Sequence, residues 1–168
     1  DLSCTFVNSF LEQNAAGIPY DTLIIALNLF NPDGEIQIAG TSNSSYSIYN
    51  TDENGLYIKT ISEAASEIDC LKVTVDYLTS NYVTVKDAVE QHEFLQFHIK
   101  CNLGSQDVTI SKPTTEGLDW ALVSYTNRDQ INQELTSANR TNAGITVAIV
   151  IGGTLIAAFL VLRGAAYA

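Results

Sequence analysis

Apolar residues alternate with polar ones over much of the chain. Leu23, Ile25, Leu27 and Leu29 are separated by single residues, as are Ile36 and Ile38. A period of two places such side chains on one side of an extended backbone, so the pattern predicts two half-buried strands. Asn31-Pro32-Asp33-Gly34 lies between them. Proline presets φ at the start of a turn and glycine accepts positive φ, so the pair should close as a hairpin. Further strand-forming runs are Tyr46 to Tyr49, Leu56 to Ile61, Leu71 to Tyr77, Tyr82 to Val85, Phe94 to Cys101, Val108 to Ser111 and Trp120 to Tyr125. Asp52-Glu53-Asn54-Gly55, Ser80-Asn81, Asn102-Leu103-Gly104 and Pro113 punctuate them at sandwich-like spacings. The expected fold is mainly β, an antiparallel β-sandwich of roughly seven to nine strands over residues 1–126. A short helix is expected from Ser62 to Ile68, where alanines interrupt the β pattern, and another from Asn127 to Asn139, with Ile131, Leu135 and Ala138 on one side.

The pattern changes after Asn142. Ala143 to Leu162 reads AGITVAIVIGGTLIAAFLVL, twenty residues without a charge. At ~1.5 Å per residue, a helix of that length spans the ~30 Å hydrocarbon core of a bilayer. A buried helix of a soluble core is the alternative, but such helices rarely lack a polar side for so long. The core of a protein filament is a third setting. The expected order is therefore a β domain at 1–126, a membrane-proximal helix or stalk at 127–142, a C-terminal transmembrane helix at 143–162 and a short tail at 163–168. Within the span, Gly144, Ala148 and Gly152 recur every fourth residue, and Gly153 and Ala157 form a second such pair. Small residues at this spacing let helix backbones approach closely, although Gly and Ala are common in membrane helices in any case.

Charge narrows the partners. The chain has 168 residues, with 19 acidic and 8 basic side chains and a formal net charge of −11. No basic surface is available to displace counterions from a phosphate backbone, so nucleic acid is excluded as a partner. All carboxylates lie at or before Glu134. The expected partners are membrane lipid, through 143–162, and other proteins or copies of the chain. Asp1-Leu2-Ser3-Cys4 lacks the basic and apolar regions of a signal peptide, and methionine is absent. That is the form of a processed amino end, and it implies a type I single-pass membrane protein with residues 1–142 extracellular, lumenal, or on a virion or filament surface.

Candidate chemistry is sparse. Cys4, Cys70 and Cys101 permit three single pairings, and spacing selects none of them. Cys101 shares parity with Leu95, Phe97 and Ile99 and should face the core. His92 and His98 lie six apart, without the spacing that places two metal ligands on one helix face. His98 shares its side of the strand with Gln96 and Lys100, which suits a solvated or interface position. No nucleophile elbow, phosphate loop, dinucleotide fingerprint or calcium ladder occurs, so no catalytic, cofactor or metal residues are assigned and no enzymatic activity is expected. Sequons at Asn43-Ser44-Ser45 and Asn139-Arg140-Thr141 make Asn43 and Asn139 possible glycosylation positions.

A β domain carrying Cys4 and Cys70, a membrane-proximal helix and a terminal span resembles the layout of the cargo receptors of the secretory pathway. The stretch from Asn127 to Asn142 is shorter than that family's coiled coil, and Arg163 to Ala168 lacks its aromatic and dibasic sorting signals. The likeness is one of layout and brings no functional residues. The expected function is that of a membrane-anchored structural or assembly subunit of a surface layer, virion envelope, filament or membrane complex. A single-pass receptor or adhesin for a soluble ligand or cargo is the second reading, and a membrane-tethered hydrolase is the third.

Overall fold

The computed structural model describes residues 2–30, 34–113 and 119–139. The chain divides into two units, Asp1–Asp129 and Gln130–Ala168. In the first unit, strands β1 (Thr22–Asn28), β2 (Gln37–Thr41), β5 (Phe94–Cys101), β6 (Gly104–Ser111) and β7 (Trp120–Asn127) form one antiparallel sheet in the order β2-β1-β7-β6-β5. Strands β3 (Tyr49–Asp52) and β4 (Gly55–Ile58) form a separate hairpin. Helices are α1 (Leu2–Ala16), α2 (Ile61–Glu67), α3 (Asp69–Asn81) and α4 (Val85–Gln91).

The expected mainly β, antiparallel character holds, but the expected sandwich does not. Among the described residues the layer opposite the sheet is helical. Leu23, Ile25, Leu27, Ile38, Val108, Ile110, Ala121, Val123 and Tyr125 line one face of the sheet and share a buried core with Ile61, Ala64, Cys70, Leu71, Leu78, Val85 and Val89 from α2, α3 and α4. Burial removes this apolar surface from water and is the main driving force for the layering.

The β1–β2 hairpin forms where alternation placed it, with Leu27 opposite Ile38 and Gly34 at positive φ. Residues 31–33 of its turn lie outside the described residues. Gly55 and Gly104 also take positive φ, each at the turn the sequence marked. Strand β5 has the predicted bounds, whereas only Tyr49 of the predicted Tyr46–Tyr49 strand lies in β3.

Two predicted strands are absent from the sheets: one is helical, and the other is the link between α3 and α4. Leu71 to Tyr77 lies within α3, whose buried residues Cys70, Leu71, Thr74 and Leu78 fall on one helix face. Val73 and Val75 suggested extended chain, but packing of that face overrides the intrinsic preference of β-branched residues. Tyr82 to Val85 leads into α4, where Thr84 caps the helix: its Oγ1 accepts from the Asp87 N–H at 3.0 Å and donates to the Asp87 carboxylate at 2.7 Å. The predicted Ser62–Ile68 helix corresponds to α2, opened by a Thr60/Glu63 capping box. The Glu63 carboxyl lies below the usual carboxylate range, chiefly because the Tyr57 phenol donates to it, and the same bond raises the Tyr57 phenol.

Helix α1 was not anticipated. It packs on β1 and β2 from the face opposite α2–α4. Gly40 makes the docking possible: a Cβ there would lie 2.5 Å from Val7 Cγ1 and 3.3 Å from Leu11 Cδ1. Asn8 Oδ1 accepts the Thr41 N–H at 2.9 Å and so satisfies a donor at the end of β2.

Tyr125 and Thr74 form a polar pair inside the core. The Tyr125 hydroxyl donates to Thr74 Oγ1 at 3.0 Å, and Thr74 in turn donates to the Cys70 carbonyl at 2.8 Å. Burial raises the Tyr125 phenol far above its ordinary range, and the bond to Thr74 opposes this only in part. The folded chain therefore keeps its proton where the unfolded chain loses it, near pH ~10. The contribution is intact below that pH and is lost above it at about 1.4 kcal/mol per pH unit. Urea midpoints at rising alkaline pH should fall less steeply for Tyr125→Phe than for the parent chain; equal slopes would contradict this assignment.

Candidate functional site

The candidate sites are a disulfide, two histidine groups, a cleft and a sheet margin. Of the three cysteines, the structure joins Cys70 at the start of α3 to Cys101 at the end of β5, with a Cα–Cα distance of 5.0 Å. This selects one of the three pairings that spacing left open. Cys101 is half-buried against the core, as its parity predicted. The backbone of Cys4 belongs to α1, and its side chain lies outside the description.

His98 is exposed on the side of β5 shared with Gln96 and Lys100, and its Nδ1 lies 3.1 Å from Asp107 Oδ1 on β6. Arg128 approaches the same carboxylate at 3.6 Å. His92 caps the C-terminal end of α4, and its Nε2 meets the Tyr82 hydroxyl at 3.1 Å. The two histidines belong to separate groups, His92 with the Tyr82 hydroxyl and His98 with the Asp107 carboxylate. Among the described residues no group of His, Cys, Asp and Glu could hold a metal ion.

Asn43 sits in an exposed turn after β2, where its Oδ1 accepts the Ser45 N–H at 2.9 Å. A glycan would meet open solvent there. Asn139 is helical and exposed, and Arg140 and Thr141 of its sequon lie outside the described residues. Gly144, Ala148, Gly152, Gly153 and Ala157 lie outside them as well. Among the described residues no helix is long and apolar enough to cross a membrane, and the 143–162 segment is not among them.

Two surface features follow from the sheet order. An open cleft of about 410 Å³ at one end of the sheet is lined by Glu12, Asp21, Ser42, Asn43, Gln106 and Asn127. Its walls offer carboxylates, amides and hydroxyls, which suit a polar ligand. The second feature is the margin of the sheet formed by β5. Strand β2 is covered on its outer side, where Ile38 N–H donates to the Lys59 carbonyl at 3.0 Å and Ile61 N–H donates to the Ile36 carbonyl at 2.8 Å. Strand β5 pairs only with β6 among the described residues. Phe94 is 60% exposed on β5, and Tyr77 of α3 stacks on Phe97 with ring centroids 4.2 Å apart. Sequence periodicity located β5 but could not show that it ends the sheet, because strand order is a tertiary property.

No family model, curated protein or solved structure matches the chain.

Proposed function

We propose that the chain is a membrane-anchored assembly subunit, with residues 143–162 crossing a bilayer and the β domain making protein contacts on the far side. The observation that carries this reading is the uncharged run from Ala143 to Leu162, which follows a stretch, ending at Glu134, that holds every side-chain carboxylate of the chain. The Cys70–Cys101 disulfide supports an extracellular or lumenal location for that domain, because such bonds persist in oxidising compartments. The exposed aromatic margin of β5 supports the protein-contact part.

The anchor is tested by carbonate extraction of membranes from cells making the full chain. The chain should stay in the pellet, and replacing Val147, Val150 and Leu155 with arginine should release it. Full release of the parent chain by carbonate would refute the anchor. The polar cleft near Asp21 favours a second reading as a receptor for a soluble ligand. A chain that is monomeric in detergent and in lipid would favour that reading over the subunit one.

A further inference from the structure

We infer that β5 pairs with the β5 strand of a second copy, joining two five-stranded sheets into one across a two-fold axis at Phe97. This rests on the assembly reading above and names its contact surface and partner.

The backbone supplies the first argument. Lys112 N–H donates to the Glu93 carbonyl, and the β5–β6 register continues from Phe94 opposite Ser111 to Cys101 opposite Gly104. In an antiparallel pair, hydrogen-bonded positions alternate along a strand. Glu93, Leu95, Phe97, Ile99 and Cys101 therefore turn their N–H and C=O groups toward β6. Phe94, Gln96, His98 and Lys100 turn theirs outward, where no strand of the described residues receives them. An eight-residue margin without proline or bulge is a ready template for strand addition.

The side chains select a copy of the same strand. Phe97 is the midpoint of the four outward-turned residues, so a two-fold axis there pairs all of them. Gln96 then faces His98 of the copy, and Phe94 faces Lys100, an amide–imidazole and a ring–cation pairing. On the helix side Leu95 faces Ile99, and Phe97 faces its own copy beside the two Tyr77 rings. An axis shifted to His98 would set imidazole against imidazole and would place Phe94 opposite Asn102, whose N–H is already held by Asp69 at 2.7 Å. Charge points the same way. Two chains of formal charge −11 repel one another through most of their surface, whereas Phe94–Cys101 reads FLQFHIKC and contains no carboxylate.

The test uses the full chain in lipid nanodiscs and in detergent, with Cys4→Ser so that Cys70 and Cys101 are the only native cysteines left. Phe97 and its copy form a non-hydrogen-bonded pair with Cα atoms ~4.5 Å apart, within disulfide reach. Mild oxidation of Phe97→Cys should give a covalent dimer, while Leu56→Cys, exposed on β4, should not. Gln96→Pro removes one outward N–H per copy at a margin position where proline is tolerated. It should weaken dimerisation by about tenfold or more, with the circular dichroism spectrum and the thermal midpoint of the isolated chain retained. A dimer that survives Gln96→Pro and yields no Phe97→Cys link would overturn β5 pairing while leaving the anchored-subunit reading in place. A chain that resists carbonate yet is monomeric overturns the pairing and the assembly reading together. Release by carbonate refutes only the anchor.

Discussion

Replacing Cys70 and Cys101 together with serine should lower the unfolding free energy of the β domain by about 4 kcal/mol, on the loop-closure estimate for residues 31 apart. The disulfide ties the start of α3 to the end of β5, two elements that otherwise meet through side chains alone. Without it the unfolded chain regains the freedom of the intervening segment, which contains α3, α4 and most of β5. Cys70 is fully buried, so serine also places a hydroxyl in an apolar site. Urea denaturation of the parent chain with and without reductant, beside the double variant, measures the effect. A loss below about 1 kcal/mol would show that the α3–β5 contact is held by packing alone, with the Tyr77–Phe97 stack as its main feature.

The second large effect is expected at Gly40. Substitution by valine puts a Cβ within 2.5 Å of Val7 Cγ1 and 3.0 Å of Asn8 Oδ1, with two further methyls to place. Val7 is β-branched and stiff, so it cannot swing aside as a longer side chain would. Helix α1 must lift from the sheet, which strips cover from Leu11 and Ala26 and breaks the Asn8 bond to Thr41. The expected cost is about 3 kcal/mol, at the upper end of overpacking effects. Limited proteolysis should then cut first within Leu2–Ala16, while the buried amides of β7 keep their protection from hydrogen exchange. Uniform loss of protection would mean that α1 is integral to the cooperative core, and unchanged proteolysis would mean that Gly40 does not set its docking.

Much of the local structure is legible in the letters. Strand β5 and the β1–β2 hairpin follow from alternation, and Gly34, Gly55 and Gly104 mark turns that require positive φ. The exposed position of His98 follows from its parity with Gln96 and Lys100. Each failure has a local cause. In Leu71 to Tyr77 the apolar residues satisfy both a period of two and a helical face, and single-chain patterning cannot choose between them. The Thr84-x-x-Asp87 cap was a usable signal for α4, although Tyr82 and Val83 beside it favour extended chain. Helix α1 gave little warning because Phe6 and Phe10 stay exposed while Val7 and Leu11 turn inward, which blurs the apolar stripe.

The candidate surfaces were less legible than the elements that form them. Nothing in Phe94–Cys101 states that the strand ends a sheet, and the cleft near Asp21 collects residues from α1, β1, the loop after β2, β6 and β7.

By itself the sequence determined β5 and the β1–β2 hairpin, the turns at Gly34, Gly55 and Gly104, the acidic character of the chain before residue 135 and the uncharged run from Ala143 to Leu162, because each depends on neighbours a few residues apart. Only the tertiary structure decided that Cys70 pairs with Cys101 and that, among the described residues, helices rather than a second sheet cover the core and β5 pairs with β6 alone. Those outcomes depend on which apolar faces meet across long stretches of chain, and burial energy is indifferent to sequence order.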